Sequence, residues 1–270
     1  MTMVRRTIYV ALLPLWLMAV GQTTDQDKAH AIEWKERHAR YSDLRIVESE
    51  SWLEINVNSP RPLNDVLAAL ANNHVWRINY EDPHYGHADL VDDTAPSWLK
   101  EHPNGTHVYG IAGGALSVKF PLDGYFPDDP MQVIPAVIEA YNRSGNPGRF
   151  ELRTTEKHAW FDVVPTAAAD GPQQPILDTV MSFDATETDD FMVTLRRFCE
   201  ELASRSGQAI EFWGFFQPGS NPLEQAKIKL NAHNEPAREI LRQMLGQVSS
   251  TATWLVLFDA DSQKFTLKFR

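Results

Sequence analysis

The order of its apolar runs constrains this chain more than any other feature. Between Gln225 and Arg270 the runs indicate a strand, a helix and two further strands, and the same order of runs occurs three more times upstream. Each run has its own period, which is two residues for a strand and 3.6 for a helix, and its own stop signal. Such a recurrence predicts small repeated modules.

The C-terminal unit shows the pattern most clearly. In 227–230, isoleucine and leucine alternate with lysine, which predicts a strand with one buried face. Asn234 is then predicted to cap a helix that has Pro236 in its first turn and that ends at Gly246. The apolar stripe of this helix consists of Ile240, Leu241, Met244 and Leu245. The segments 254–258 and 265–269 follow as a predicted hairpin, joined by an acidic turn.

The other units repeat this order. One opens with a strand at 181–183, continues as a helix to about Ser206 that Gly207 ends, and returns as the strand AIEFWGFF. The earlier copy contains alternating strands at 53–57, 76–80, 116–120 and 150–152, helices from Pro62 and over roughly 131–141, and a last strand at 160–164. Pro135 lies inside the second of these helices and predicts a kink or a late start.

These elements predict an α+β fold of two tandem related modules. Each module has two strand–helix–strand units, whose small mixed or antiparallel sheets pack on two helices. The predicted boundaries are a signal peptide at 1–21, a polar segment at 22–50, a first module at 51–165, a linker at 166–178 and a second module at 179–270. The polar segment contains AIEWKERHARY, which predicts a short helix, and the first module carries an insertion at 81–114.

The N-terminus has the layout of a Sec-type secretory signal peptide. Arg5 and Arg6 precede the apolar stretch IYVALLPLWLMAV, and the small residues Ala19 and Gly21 lie three residues and one residue before a possible cleavage point. An N-terminal membrane anchor is the alternative, although the apolar stretch is shorter than a spanning helix needs. We therefore expect a bacterial periplasmic or secreted protein with no stable membrane insertion once the signal is removed.

Net charge and the number of cysteines exclude some classes of partner and of covalent cross-link. The formal net charge is -11 at pH 7, which repels phosphate backbones and disfavours a nucleic-acid partner. Cys199 is the only cysteine, so an intramolecular disulfide is excluded. Because Phe191, Leu195, Phe198 and Leu202 share its helical face, Cys199 is predicted to fill core volume.

The second module closely, and the first module loosely, resemble a known family of envelope domains, so that two copies of that domain are expected. The run MSFDATETDDFMVTLRRFCEELASRSGQAIEFWGFF, with the later segments IKLNAHNEPAREILRQMLG and WLVLFDADSQKFTLKF, is similar to the short N-terminal domain of secretins and TonB-dependent receptors. The resemblance implies a non-catalytic periplasmic interaction module, with an envelope protein or another copy of the chain as partner. The run WRINYEDPHY also resembles uncharacterised secreted bacterial proteins, which implies no function.

The insertion at 81–114 is rich in His, Asp, Pro and Gly and is predicted to form a long surface loop. His84, His87 and Asp89 lie close together in it, and imidazole with carboxylate could bind a divalent cation. The spacing matches no established metal motif. A protein that binds a small ligand or divalent metal through this insertion is therefore the alternative function.

Catalytic chemistry lacks a local signature. The sequence contains no HExxH, GxSxG, GxxxxGK or CxxC motif, so we predict neither an enzyme nor a cofactor. Aromatic side chains are instead candidates for contact with a partner. The interaction candidates are Trp98, Tyr85, Phe215 and Phe216, whereas Trp76, Trp160 and Trp254 are predicted to lie in the core.

Overall fold

A computed structural model describes residues 42–49, 51–94, 96–121, 129–155, 160–186, 190–213 and 226–270. The strands are β1 (Ser42–Glu48), β2 (Trp52–Ser59), β3 (Ile78–Glu81), β4 (Leu90–Asp92), β5 (Tyr109–Ile111), β6 (Gly114–Pro121), β7 (Arg149–Thr154), β8 (Phe161–Ala168), β9 (Gly171–Pro172), β10 (Val180–Ala185), β11 (Ile210–Phe212), β12 (Leu230–Pro236), β13 (Trp254–Asp259) and β14 (Lys264–Phe269). The helices are α1 (Pro62–His74), α2 (Pro96–Glu101), α3 (Pro130–Arg143), α4 (Phe191–Ser206) and α5 (Ala237–Val248).

Two compact units divide the described residues. The N-terminal unit comprises the described residues up to His74 together with His87–Pro147, and the C-terminal unit comprises Val75–Gly86 and Gly148–Arg270. The predicted signal peptide at 1–21 and the helix predicted from AIEWKERHARY lie outside the described residues. Among the residues that are described, no helix is both long and apolar enough to cross a membrane.

The N-terminal unit is built on an antiparallel sheet in the order β1-β2-β6. Leu53, Ile55 and Val57 alternate into the core from β2, and α1 and α3 pack on β2 and β6. Helix α3 begins at Pro130, where the carboxylate of Asp129 accepts the backbone N–H of Met131 at 2.9 Å. The helix thus starts before Pro135 and continues through it.

The insertion is more ordered than its composition predicts. It contains a 3₁₀ turn at His87–Asp89, the short helix α2, and the antiparallel pair β4–β5. The expectation of a loop without regular structure was therefore wrong for these segments, because three-residue strands are too short to show a period in the sequence.

The C-terminal unit contains a sheet in the order β11-β14-β13-β3-β8-β7, with β9 added to β8, and a separate antiparallel pair β10–β12. Helix α4 contacts β10 and β11, and α5 contacts β12 and β10. Gly207 ends α4 in the left-handed region at φ 71°, as predicted. Helix α5 instead begins at Ala237 and runs past Gly246, while Asn234 occupies a bulge of β12 at φ 56°.

The two predicted modules share one topology, and the α+β class of two related modules is confirmed. We call β2, α1, β3, β6, α3, β7 and β8 the first repeat, and β10, α4, β11, β12, α5, β13 and β14 the second repeat. In each repeat the first and third strands pair antiparallel, the second strand runs parallel to the last, and the final two strands form a hairpin.

The compact units differ from the predicted domain boundaries. Strands β3 and β7 and most of β8 fall within the predicted first module, yet they share a sheet with the second repeat. The segment 166–178, predicted as a linker, contains the end of β8, all of β9 and a 3₁₀ turn at Ile176–Asp178 with a buried Leu177. Strand β1 lies within the segment 22–50, for which only a polar character and a short helix were predicted.

Candidate interaction site at the sheet edges

A parallel pairing between β3 and β13 joins the two repeats. Tyr80 lies opposite Leu255, and Glu81 lies opposite Val256. The backbone N–H of Asp82 donates to the carbonyl of Val256 at 2.8 Å. These strands are far apart in sequence, so the pairing is a tertiary contact between an edge strand of one repeat and an edge strand of the other.

Polar side chains of the first repeat complete this junction. The Oδ1 atom of Asn79 accepts the backbone N–H of Trp254 at 3.0 Å, and a carboxylate oxygen of Asp82 accepts that of Phe258 at 3.0 Å. Asn79 and Asp82 are both buried. Their side chains satisfy backbone donors of β13 that a strand as short as β3 cannot reach with its own carbonyls.

A buried ion pair lies at the same place. The guanidinium of Arg238, on α5, donates to Glu81 at 2.7 Å and to Asp178 at 3.2 Å, and the side chain of Glu81 is 1% exposed. Burial raises the pKa of Glu81 above its ordinary value of 4.5, and the charge of Arg238 opposes that rise.

A second buried pair extends this network. Arg242 donates to Asp162 at 2.6 Å, and Asp162 also accepts the side-chain amide of Asn79 at 2.7 Å. Each of these carboxylates is thus held by an arginine. These ion pairs connect β3 and β8 to helix α5. The carboxylates and arginines of the network therefore serve structural contacts.

The outermost strands of the six-stranded order are β7 and β11. In the described part of the chain, β7 pairs with β8 and β11 pairs with β14. The side chain of Trp213, directly after β11, is 48% exposed and lies under the ammonium of Lys268, with 4.1 Å from Nζ to the ring centroid. Phe212 and Leu152 are half-buried. The two strands at the ends of this order therefore carry apolar side chains that are at least partly exposed.

The predicted interaction candidates take different positions. Trp98, on α2, is 36% exposed and stacks on the ring of His102 with centroids 3.9 Å apart. Tyr85 is only 2% exposed, and its hydroxyl donates to the carboxylate of Asp82 at 3.3 Å, so it supports the junction instead of offering a surface. Phe215 and Phe216 lie outside the described residues.

The candidate metal ligands take separate roles. The ring of His84 lies against Phe258 with centroids 4.7 Å apart, and the ring of His87 lies against Tyr109 at 6.3 Å. Asp89 is buried. Within the ranges that the structure describes, no group of three or more His, Cys, Asp or Glu side chains could hold a metal ion.

A polar cavity of about 340 Å³ lies beside His84. Its lining consists of His84, Gln173, Gln174, Pro175, Ile176, Thr179, Ser206 and Gln208. The amide of Gln173 bonds both the N–H and the carbonyl of His84, at 2.9 and 2.6 Å. The cavity is therefore lined mainly by amide, hydroxyl and apolar groups, of which several already bond one another.

The core predictions for the cysteine and two of the tryptophans are confirmed. Cys199 is buried, and burial raises the pKa of its thiol to about 12, so the thiol stays protonated at neutral pH. Trp160 and Trp254 are buried and stack on each other with centroids 6.0 Å apart, whereas Trp76 is half-buried.

The junction residues Asn79, Asp82 and Arg238 are the ones that sequence reasoning missed. A signal was present for two of them, since in the run RINYED the polar Asn79 lies inside the strand predicted at 76–80 and Asp82 follows shortly after it. A half-buried strand would have directed them to solvent, but β3 is buried on both faces. The sequence does not show which distant residues these side chains contact.

Comparisons with family models, with curated proteins and with solved structures found no match to this chain. The resemblance to the short N-terminal domain of secretins and TonB-dependent receptors therefore stays a prediction. The site rests on the geometry described above.

Proposed function

We propose that this protein is a non-catalytic protein–protein interaction module of the bacterial cell envelope, periplasmic or secreted. The observation that supports this function most strongly is the junction between β3 and β13. The two repeats already recognise each other through strand edges, and the outer strands β7 and β11 are of the same two kinds.

Strand edges suit a binding role on physical grounds. An added strand gains backbone hydrogen bonds along its length, and alternating side chains supply selectivity. Trp213 adds an exposed aromatic ring at one edge, the type of residue that contributes most to interface energy. The acidic charge of the chain favours partners with basic or neutral surfaces over nucleic acid.

The test captures envelope proteins on the immobilised chain and identifies them by mass spectrometry. We expect an envelope protein, or the chain itself, to bind the wild type and to be lost with Leu152→Pro, which removes a backbone donor from the edge strand β7. Leu152→Thr is the matched control, because it keeps the N–H and the strand propensity.

The result that contradicts the proposal is equally specific. Capture that is the same for wild type, Leu152→Pro and a Trp213→Lys variant shows that neither sheet edge takes part. A wild type that remains a monomer and captures no specific protein removes the binding function itself.

A further inference from the structure

The pairing between the repeats joins two unlike edges. From the first repeat it uses β3, the strand that follows the first helix, and from the second repeat it uses β13, the first strand of the hairpin. The strands left at the two ends of the sheet are β11, the equivalent of β3, and β7, the equivalent of β13. A head-to-tail contact of this type can be repeated by further copies, since each added copy again exposes both kinds of edge.

The strand register shows which individual residues of the two repeats are equivalent. In the second repeat Phe212 and Val256 both lie opposite Leu267, and in the first repeat Tyr80 and Leu152 both lie opposite Val163. The hairpins also match pair by pair: Phe150 opposite Pro165 through Thr154 opposite Phe161 corresponds to Trp254 opposite Phe269 through Phe258 opposite Phe265. Phe212 is therefore equivalent to Tyr80, and Leu152 is equivalent to Val256.

The register also predicts in which direction the backbone N–H and carbonyl groups of β7 are directed. The carbonyl of Val256 accepts a hydrogen bond from the N–H of Asp82, directly after β3, so this carbonyl is directed away from β14. Its equivalent, Leu152, has its backbone polar groups on the outer edge of β7 by the same alternation. This is consistent with Pro165, which has no N–H to donate to Phe150 opposite it.

Exposure distinguishes the joined edges from the outer ones. At the internal junction Tyr80, Glu81, Leu255 and Val256 are all buried. Of their equivalents, Phe212 and Leu152 are half-buried, and Trp213 and Glu151 are exposed. Pairing of the outer edges would cover the Trp213 ring and the Leu152 side chain, which gives apolar burial as a driving force.

Charge on β7 sets the strength of such a contact. Glu151 and Arg153 bind each other at 2.8 Å where the internal junction has Leu255 and Leu257. Charged side chains on an edge strand weaken edge-to-edge pairing. We therefore expect an association that is reversible and depends on concentration.

From this geometry we infer that the chain binds a second copy of itself head to tail, with β11 of one copy running parallel to β7 of the next, and with Trp213 opposite Leu152 and Phe212 opposite Glu151. This inference rests on the proposed function and names one partner for it. The contact is heterologous, so association extends to higher oligomers unless the rotation between copies closes a ring.

Cysteine pairs test both the contact and its polarity. Adjacent strands lie about 4.8 Å apart, within the separation of roughly 4.4 to 6.8 Å between Cα atoms that a disulfide needs. Leu152→Cys and Trp213→Cys variants of the whole chain are oxidised separately and as an equal mixture. The native Cys199 is buried and does not compete. We expect a disulfide-linked dimer at high yield in the mixture and little in either variant alone.

Sedimentation of the unmodified chain over a range of concentrations gives the second readout. We expect the average mass to rise with concentration for the wild type and for Leu152→Thr, and to stay at one chain for Leu152→Pro, with circular dichroism confirming that each variant folds. Dimers that form as readily from one cysteine variant alone overturn the head-to-tail arrangement. A monomer at every concentration, without cross-links in the mixture, overturns self-association.

The same experiments distinguish a failure of the self-association from a failure of the proposed interaction function. If the chain stays monomeric but captures an envelope protein that Leu152→Pro releases, the edge binds a different partner: the self-association is overturned and the interaction function stands. If capture and self-association are both absent, both proposals are overturned.

Discussion

Arg238 illustrates how a single residue holds distant segments together. Its side chain is 6% exposed and binds both Glu81 and Asp178. Replacing it by methionine leaves the carboxylate of Glu81 buried without its cation. We expect Arg238→Met to lower the free energy of unfolding by about 3 to 5 kcal/mol, measured by urea denaturation.

Arg153 provides the matched control, since it also binds Asp178, at 2.5 Å, but its side chain is 40% exposed. Arg153→Met should cost less than about 1 kcal/mol because solvent screens an exposed pair. Combining Arg238→Met with Glu81→Met should restore much of the lost stability. Equal losses for the two single arginine variants would show that burial is not the deciding factor.

Val75 is a residue at which the backbone conformation is unfavourable. It follows α1 with φ 56°, a region that strongly disfavours β-branched side chains, and it is 82% exposed, so its side chain contributes little packing. Val75→Gly should therefore raise the free energy of unfolding by about 1 kcal/mol, measured by thermal or urea denaturation. The reciprocal change Gly207→Ala, at φ 71°, should lower it by a similar amount. A destabilising Val75→Gly would refute this explanation.

At the scale of elements, the insertion is held by a small polar cluster. Thr94 donates to the carboxylate of Asp92 from its hydroxyl at 2.6 Å and from its backbone N–H at 3.0 Å, and Nδ1 of His107 lies 2.6 Å from the same carboxylate. These contacts, with Thr94 first, lower the pKa of Asp92 from 3.8 to about 2.

Because its pKa is lowered, Asp92, at the end of β4, makes a contribution to stability that depends on pH. The contribution of Asp92 to stability is present above its ordinary pKa of 3.8 and is lost as the pH falls through about 2. Thr94→Val should raise the pKa of Asp92 in an NMR titration, and His107→Gln should raise it less. The reverse order would show that the imidazole dominates this cluster.

At the scale of the whole molecule, the junction between β3 and β13 predicts that the second repeat depends on the first. A fragment spanning 173–270 lacks β3, so the backbone N–H groups of Trp254 and Phe258 lose their side-chain acceptors. Arg238 also loses Glu81. We expect the fragment to melt well below the whole chain in circular dichroism, because several buried polar groups lose their partners.

The fragment also offers an internal check. Because Glu81 is absent from it, Arg238→Met should cost less in the fragment than in the whole chain. A fragment that unfolds cooperatively at the temperature of the whole chain would instead indicate an independent second module, as the boundary at 179 predicts.

Local periodicity was sufficient to predict most elements. The alternation at 53–57 and 116–120 and the stripe of α5 identified strands and a helix, because each records which face of that element avoids water. Stop signals such as Gly207 also act locally. The short strands β4, β5 and β9 escaped prediction, since a period cannot be read from two or three residues.

The sequence by itself thus determined the kind and order of the repeated elements, including the two hairpins whose registers match. Tertiary structure alone decided which edges meet. The pairing of β3 with β13 uses backbone groups that nearly every residue possesses, so no side-chain pattern announces it. For the same reason the burial of Asn79 and Asp82 became intelligible only when their partners on β13 were placed beside them.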